Sequence, residues 1–413
     1  MPRSVRSRVD VFRVWLARHW RLPLSAGLAL VGLAAFVVPR AELVIGVVSL
    51  LAAGVVIVLD VRAHRDERDD LVVERAGARD LAALLPGPSY TGAVVERVED
   101  GHLLRDDRVD DRLPELVTTL RVNSPAHDVP PELAEVQLAV LRHMVKQGKR
   151  IFNGTVVRLE TDLGWAAVEP GAAEPLAVDV RRTPFFAALG TNDLGAREVR
   201  STRRRRAVVS GYELLADRGG RIRDLSQSWL ANVIGISTLA ITADRQLLIV
   251  RQTPHNTESG DRLAPSGSGS VDAVDLADAA DLRSLVVGAM ERELREECCL
   301  PARTPLATRL TGFARWLERG GKPEFYAVTR VGITAREVEL RRIDRSERDY
   351  VAYIETFGLG DDLPAALNGI GPRLAERGPV SVPLTAALNA LRRALAADPR
   401  LLEGLEPRSA GAP

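Results

Sequence analysis

Two long apolar runs near the N-terminus constrain this chain more than any other feature of its sequence. They cover residues 22–38 and 43–59, carry no charged residue, and are separated only by the turn Pro-Arg-Ala-Glu. At ~1.5 Å rise per residue each run forms a helix of about 26 Å, a little short of a ~30 Å hydrocarbon core. Aromatic and basic side chains at the flanks make up the difference, namely Trp15, Trp20, Arg18 and Arg21. The runs therefore predict a two-helix transmembrane hairpin.

Two alternatives fit these runs less well. A secretory signal peptide has one apolar stretch and is not followed at once by a second span. A buried hairpin of a soluble domain shows a polar face at helical spacing, which neither run has. Neither span contains an ionisable residue, so the hairpin offers no proton or ion relay. It serves as an anchor or as an element that forms homo-oligomers, and the residues do not separate these roles.

The basic residues orient the hairpin. Six arginines precede the first span, three follow the second closely, and the connecting turn has one. The positive-inside rule therefore places both termini in the cytoplasm, in a two-pass protein of the inner (cell) membrane. On this interpretation residues 1–21 are a basic cytosolic N-terminus and residues 22–60 contain the hairpin.

The charge balance and the cysteines narrow the partners and the compartment. The 413 residues include 56 Lys and Arg against 55 Asp and Glu, so bulk charge predicts no duplex nucleic-acid partner. The only cysteines, Cys298 and Cys299, are adjacent, and no Cys/His cluster has zinc-ligand spacing. Neither a disulfide framework nor a structural zinc is indicated, and a reducing, cytosolic setting is the simplest interpretation for the soluble part.

Residues 61–230 are interpreted as a linker followed by an α/β region that the pattern assigns poorly. A helix is predicted from Pro130 to Lys146 and a strand over residues 150–159, while the strongly charged segment 106–111 predicts a loop. The same region carries two motifs that each admit two interpretations.

The first motif is the pair Phe185 and Phe186 within residues 183–192, in a chain with only 4% aromatic residues. It forms a packed wall or a ligand-stacking surface, and packing is the commoner explanation. The second is the run of four arginines at residues 203–206. Such a run is usually a solvated loop, and the alternatives are contact with lipid headgroups or with a polyanionic ligand.

From residue 231 to about residue 400 the pattern predicts strands around a central helix, which indicates an α/β sandwich. A flexible tail is expected over residues 401–413. The predicted elements are strands at 234–242, 246–252, 309–317 and 324–332, a turn at 243–245, a Gly-rich loop at 265–270, a turn with Gly320 and Gly321, and helices at 281–298 and 384–397.

The central helix carries the residues of chemical interest. Glu293, Glu296 and Glu297 share one face because positions i, i+3 and i+4 are neighbours on a helix. Carboxylates at this density repel one another unless a cation neutralises them, and hard oxygen ligands suit Mg²⁺ or Mn²⁺. Arg292 reaches Glu296 at i+4 and can hold it in place. An ordinary solvated helix face is the alternative interpretation.

The segment from Arg292 to Leu300 resembles the second half of the Nudix signature, Arg-Glu-apolar-X-Glu-Glu-X-Gly-apolar. The resemblance covers about residues 231–397 and implies a Nudix-type α/β/α sandwich, a mixed sheet with a central glutamate helix. Three positions depart from the signature. Asp278 and Ser284 stand where the family has Gly and Glu, and Cys299 replaces the final Gly, which removes an easy left-handed C-cap.

The same resemblance implies roles for individual residues. Glu296 and Glu297 would be metal ligands, Glu293 a ligand or base, and Arg292 an orienting partner in the catalytic set. The loop with Gly267 and Gly269 would approach phosphate closely. A remote general base is expected among Glu318, Glu324 and Glu347. The activity so implied is a Mg²⁺-dependent pyrophosphohydrolase that cleaves a nucleoside diphosphate linked to another moiety.

A hairpin joined to a Nudix-like domain is also similar to the two-transmembrane NUDIX effectors of CBASS antiphage systems. That resemblance implies a sensor that binds a cyclic oligonucleotide, assembles its hairpins and damages the membrane as an antiviral defence. It accounts together for the hairpin, the Arg- and Phe-bearing segments and the altered signature, whereas a hydrolase accounts only for the helix. The sensor is therefore the favoured expectation and the hydrolase the alternative.

Overall fold

The computed structural model describes residues 9–15, 71–75, 80–172, 174–204, 206–343 and 347–407. The predicted hairpin at residues 22–38 and 43–59 lies outside these ranges. Among the described residues, no helix is long and apolar enough to cross a bilayer.

The described strands are β1 (Leu71–Arg75), β2 (Val94–Val98), β3 (Gly101–Arg105), β4 (Thr118–Asn123), β5 (Thr155–Leu159), β6 (Leu176–Pro184), β7 (Arg197–Ser201), β8 (Arg206–Ser210), β9 (Gly235–Ile241), β10 (Gln246–Gln252), β11 (Leu263–Pro265), β12 (Gly267–Ser270), β13 (Leu306–Trp316), β14 (Lys322–Val331) and β15 (Val351–Gly358). The described helices, apart from a helical segment at residues 9–15, are α1 (Asp107–Arg112), α2 (Ala134–Lys146), α3 (Trp165–Val168), α4 (Phe185–Gly190), α5 (Gly211–Leu215), α6 (Leu282–Glu297), α7 (Ala335–Glu339), α8 (Leu363–Asn368), α9 (Ile370–Arg377) and α10 (Val382–Ala397). The expected α/β class is therefore confirmed.

The strands form one large mixed sheet and two small ones within the described ranges. The main sheet has the order β11-β10-β9-β14-β13-β3-β2, with β12 paired to β9 and β15 paired to β10. Its β14–β9 pair is parallel, and its other pairs are antiparallel. The small sheets have the orders β1-β7-β8 and β4-β6-β5.

Helices α6 and α10 cover opposite faces of the main sheet. Alternate residues of β14 show this, because side chains along a strand point to opposite faces. Phe325 and Ala327 belong to the core cluster that contains the apolar residues of α6, and Tyr326 and Val328 belong to the cluster of α10. Each fully buried Leu, Phe or Met in these layers stabilises the fold by about 1.5–3 kcal/mol.

The chain before residue 231 extends this core. Strand β3 pairs with β13 through Ala314↔Arg105 and Trp316↔Leu103, and β2 follows at the sheet edge. On the α6 side, the Leu282 amide donates to Thr118 Oγ1 at 2.9 Å, which ties α6 to β4. Residues on both sides of position 231 therefore build one continuous sheet and one core cluster.

Two loop predictions were wrong. Residues 106–111 are mostly helical, because Asp106 caps α1 by accepting from the Arg108 amide, and Asp110 is buried where it accepts from the Phe313 amide at 2.8 Å. Residues 265–270 contribute to the short strands β11 and β12 instead of a loop, because their backbone pairs with β10 and β9.

The remaining boundaries shift by a few residues. The predicted strand 150–159 is confined to β5, and the helix predicted from Pro130 has its α-helical part at α2. The turn with Gly320 and Gly321 is confirmed, with both residues at positive φ. Leu401, in the segment expected to be a flexible tail, is 5% exposed and packs in the α10 cluster. Residues 408–413 lie outside the described ranges.

Helix α6 ends in a left-handed residue that is not glycine. Cys299 has φ +52°, and its amide donates to the Glu296 carbonyl at 3.3 Å while the Leu300 amide donates to the Arg295 carbonyl at 2.9 Å. These two bonds form a Schellman motif. The backbone geometry that the signature glycine favours is thus kept by a residue that adopts it at a cost of about 1–2 kcal/mol.

We expect Cys299→Gly to raise the free energy of unfolding by about 1 kcal/mol, because glycine adopts the left-handed conformation without this penalty. Urea unfolding of the full-length chain in detergent, followed by tryptophan fluorescence, measures the change. Cys299→Ala is the matched control and should remain within about 0.5 kcal/mol of the parent chain. Equal stability of the Gly and Ala variants would contradict the backbone explanation.

Candidate active site

Arg292 organises the acidic face of α6. Its Nε and Nη2 donate to Asp275 Oδ1 and Oδ2 at 2.8 and 2.9 Å, in the two-point geometry that a guanidinium shares with a carboxylate. Its Nη1 donates to Glu293 Oε1 at 2.8 Å and to Glu296 Oε2 at 3.3 Å. The expected Arg292–Glu296 contact is therefore present, and Asp275 is an additional partner that the helix pattern did not reveal.

Glu297 is the most enclosed of the three glutamates. The residue is 5% exposed, and its Oε2 accepts from the Ser268 amide of β12 at 3.0 Å. A backbone amide from the sheet thus fixes one oxygen of this carboxylate, while Glu293 and Glu296 are fixed from the helix side by Arg292.

The glycines of β12 allow this strand to lie against α6. A Cβ at position 267 would stand 2.9 Å from the backbone of Leu294, and a Cβ at position 269 would stand 2.7 Å from the carboxylate of Glu293. Gly269 lines the cavity beside the glutamates, whereas Gly267 is absent from the cavity lining and serves the contact with α6. Side chains at these positions would push the helix and its carboxylates away from the sheet.

The signature position that is Ser284 here has a structural use. Asp281 caps α6 by accepting from the Ser284 amide at 2.7 Å, and Ser284 Oγ accepts in return from the Asp281 amide at 3.0 Å. Residue 284 therefore belongs to a capping box that starts the helix. It lies outside the cavity lining.

The glutamates open onto a cavity of about 380 Å³. One wall is the C-terminal half of α6 and strand β12. Part of the remaining lining comes from residues before position 231, including Phe152 and Phe185. Phe185 is thus a cavity residue and also packs against two core clusters, which agrees with the packing interpretation of the 183–192 motif, while ligand stacking stays a prediction. Phe152 was not anticipated, because nothing in its local sequence distinguishes it from a core residue.

The cavity is strongly acidic. Its lining includes Arg150 and Arg292, and it includes more carboxylates than these two cations balance: Asp272, Glu258, Glu293, Glu296, Glu297, Glu324 and Glu347. Arg150 is already paired with Asp349, and Arg292 with Asp275. With these carboxyl groups ionised, the walls carry an excess of negative charge.

Burial and mutual repulsion raise the pKa values of the three cavity-lining glutamates of α6. Burial raises the pKa of Glu293 to about 8, against the opposing charge of Arg292 and with a further increase from Glu296. Burial also raises the pKa of Glu297 well above its ordinary range, and the charge of Glu293 raises it further. Burial is also the largest cause that raises the pKa of Glu296. Glu293 therefore binds a proton at neutral pH unless a cation replaces it, and the raised pKa values of Glu296 and Glu297 favour protonation in the same direction.

The carboxylates suit a hard divalent cation by chemistry more than by preformed geometry. Three carboxylates of one helix reach one cavity, which is the donor type that Mg²⁺ and Mn²⁺ prefer. In the part of the chain that the structure describes, no group of three or more His, Cys, Asp or Glu side chains is arranged to hold a metal ion. Glu293 and Glu296 are instead bonded to Arg292.

Of the three candidates for a remote base, two line the cavity and one does not. Glu324 and Glu347 line the cavity. Glu318 lies outside the cavity lining, where its Oε2 accepts from the His102 amide at 2.8 Å and its Oε1 lies 2.8 Å from His102 Nδ1. Glu318 is therefore committed to a structural contact.

Glu324 is held by a buried ionic network. Lys322 Nζ donates to Glu324 Oε1 at 2.7 Å and lies 3.5 Å from Glu258 Oε1. Arg319 Nη2 bridges Glu258 and Asp193 at 2.5 Å each. Gly235 makes room for this carboxylate, because a Cβ there would stand 2.1 Å from Glu324 Oε2. Charged residues at alternate positions 322 and 324, followed directly by the apolar run Phe-Tyr-Ala-Val of the same strand, are the sequence signal for this network.

Comparison with known proteins gives no family assignment. No family model matches the chain, and no curated protein matches it. Among solved structures, the crystal structure of DR0079 from Deinococcus radiodurans is similar over 38% of this chain and 81% of that chain, with 16% sequence identity and a TM-score of 0.25. A similarity of this degree carries no argument about fold or function.

The raised pKa of Glu293 makes stability depend on pH. The folded, metal-free chain binds a proton that the unfolded chain, with an ordinary glutamate, releases near pH 4.5. The stabilisation from this proton is complete below pH 4.5 and is lost as the pH rises through about 8. We expect Glu293→Gln, which mimics the protonated state, to melt near the parent chain at low pH and above it at pH 8 and higher. Thermal melts in EDTA measure this difference, and a difference that is the same at every pH would contradict it.

Proposed function

We propose that this chain is a membrane-anchored nucleotide sensor with a Nudix-type domain, in which a divalent cation joins Glu293, Glu296 and Glu297 to the phosphates of a nucleotide. The observation that carries this proposal is the acidic cavity, where these three glutamates meet further carboxylates in about 380 Å³. A phosphate entering alone would be repelled by the ionised carboxylates. Mg²⁺ or Mn²⁺ would attract both the carboxylates and the phosphate, and so would remove this repulsion. When bound, the cation would neutralise phosphate charge.

The Nudix assignment is supported by local structure around the signature segment. Residues 292–297 form the end of a helix that packs on a mixed sheet, with a second helix, α10, on the opposite face. The Schellman motif at Cys299 keeps the backbone conformation for which the family uses glycine. The altered position 284 serves to start the helix, so the departure removes no ligand from the cavity.

The rest of the cavity suits a nucleoside. Phe152, Phe185 and Tyr350 line it together with polar groups such as Asn256, and aromatic faces stack on nucleobases of any sequence. A volume of about 380 Å³ lies in the ~300–1,000 Å³ range of small-molecule sites. The ligand class is a nucleoside diphosphate or a cyclic oligonucleotide that presents one nucleotide to the metal.

A sensing role is favoured because the ligand would contact two separate parts of the chain. Helix α6 and β12 contribute one part of the lining, and Phe152 and Phe185 contribute another. Phe185 also packs against the cluster that contains Val11, in the helical segment before the first predicted span. Ligand binding would therefore act on the segment that leads to the hairpin, whose assembly in the bilayer would be the antiphage output.

Calorimetry on the full-length chain in detergent tests ligand binding. We expect cyclic di- and trinucleotides or nucleoside diphosphate conjugates to bind only when Mg²⁺ or Mn²⁺ is present. Glu297→Gln should weaken this binding roughly 100-fold, the upper range seen when support of a metal site is removed. Glu291→Gln is the matched control, because Glu291 lies on the same helix and outside the cavity lining. Binding of none of these ligands, or binding that persists in EDTA, would remove the proposal.

The second candidate function is a pyrophosphohydrolase, and the observation in its favour is the position of Glu324 and Glu347 in the same cavity. Burial raises the pKa of Glu324, with Lys322 opposing this shift. A carboxylate held in this way could accept a proton from a water that attacks phosphorus. Its proton acceptor would be separate from the three metal-binding glutamates.

Glu324→Gln separates the two functions. In a hydrolase, turnover of nucleoside diphosphate conjugates should fall about 10²–10⁴-fold, the usual contribution of a general base, while nucleotide binding remains. Glu318→Gln is the control, since Glu318 is bonded to His102 and lies outside the cavity lining. Phosphate release measured with Mg²⁺ gives the answer. A parent chain that binds nucleotide without releasing any product is a sensor.

A further inference from the structure

The small sheet β1-β7-β8 sets the end of β1 nearest the predicted hairpin beside a run of arginines. Leu71, the first residue of β1, pairs with Ser201, the last residue of β7. The chain then turns at residues 202–204 and continues into β8 from Arg206. The strand that emerges from the predicted second span therefore begins next to the arginine run.

The side chains at this end of the sheet combine positive charge with exposed apolar surface. Arg203, Arg204 and Arg206 are all exposed, and we call these three residues the arginine patch. Val72 and Val208, on neighbouring strands of the same sheet, are 38% and 45% exposed. Strands β1 and β7 carry one acidic residue each, Glu74 and Glu198. These two lie opposite each other in the sheet, three positions away from the Leu71↔Ser201 pair.

The segment before the first predicted span reaches the same sheet. Val11 is buried in a cluster with Val73 and Val199, so the helical segment 9–15 packs on the inner face of this sheet. Phe12 of that segment is 54% exposed and its ring stacks on Trp15 at 5.3 Å. An exposed aromatic side chain thus adds to the apolar surface near the point where the chain leaves for the membrane.

Chain length keeps this end of the molecule near the predicted hairpin. Residues 16–21 separate the helical segment from the first span, and residues 60–70 separate the second span from β1. From residue 15 to residue 22 there are about seven Cα–Cα steps, and from residue 59 to residue 71 about twelve. At ~3.6 Å per step these connections reach at most about 25 Å and about 43 Å. If the hairpin spans the bilayer, both connections tether the small sheet and the helical segment 9–15 to the membrane surface.

We propose that the arginine patch, with Val72 and Val208, is a docking surface for anionic lipid headgroups. This inference rests on the membrane anchoring in the proposed function. Arginine forks bind phosphate in two-point geometry, and exposed apolar side chains beside them enter the headgroup boundary. A soluble polyanion would use the charges and would gain nothing from the apolar residues, so the composition of the surface favours lipid.

Hydrogen exchange on the full-length chain in nanodiscs tests this surface. We expect the backbone of residues 199–209 to exchange more slowly in discs that contain phosphatidylglycerol than in discs of phosphatidylcholine alone. Each arginine near an anionic surface contributes about 1 kcal/mol, roughly fivefold, so Arg203→Ala/Arg204→Ala/Arg206→Ala should weaken the contact about 100-fold and abolish the protection. In ~0.5 M salt the parent chain should lose it as well, because the screening length falls to about 4 Å.

The controls assign each outcome. Arg336→Ala/Arg341→Ala/Arg342→Ala removes the same charge from exposed positions in and after α7 and should leave the protection unchanged. Equal exchange in the two kinds of disc overturns the lipid surface. Protection by inorganic polyphosphate in detergent that equals the protection in anionic discs also overturns it, in favour of a soluble polyanion. Failure of the chain to co-purify with discs counts against the hairpin itself, and the nucleotide titration, which needs no bilayer, then tests the cavity separately.

Discussion

The close contact between strand β12 and helix α6 is the constraint on which the rest of the site depends. It exists because positions 267 and 269 have no side chain, so the strand backbone reaches Leu294 and Glu293. At this separation the Ser268 amide donates a hydrogen bond to Glu297, and the Arg292 guanidinium donates to Asp275. The same contact forces the carboxylates together in a buried space, and this confinement raises their pKa values. One steric requirement thus produces both the geometry and the charge of the cavity.

The elements that the sequence predicted best are those with a strong period of their own. Strands β9, β10, β13 and β14 and helices α6 and α10 lie within a few residues of their predicted positions, because burial repeats along each of them. Helix α1 was missed because its charges are satisfied by residues such as Phe313 and Arg393, about two hundred positions or more away. Local patterns carry no record of such partners. The hairpin remains a prediction, since it falls outside the described residues.

The candidate site likewise contains some residues that local sequence patterns predict and others that only the tertiary structure identifies. The glutamate face of α6 follows from helical spacing alone, and the structure places those side chains at one cavity. The partner Asp275, the buried Lys322 beside Glu324 and the wall residue Phe152 depend on how distant segments meet. Sequence reasoning offered three possible bases, and only the tertiary structure showed that Glu318 is bonded to His102 while the other two face the cavity.

Two consecutive aromatic residues of α4, Phe185 and Phe186, divide their contacts between the cavity and the cluster that contains Val11. Phe185 lines the cavity, and Phe186, at 0% exposure, is embedded in the cluster that holds Val11. Lining the cavity and packing in the cluster of the helical segment 9–15 thus fall to neighbouring positions of one short helix. A change in the position of α4 would therefore alter both the lining of the cavity and the packing of this cluster.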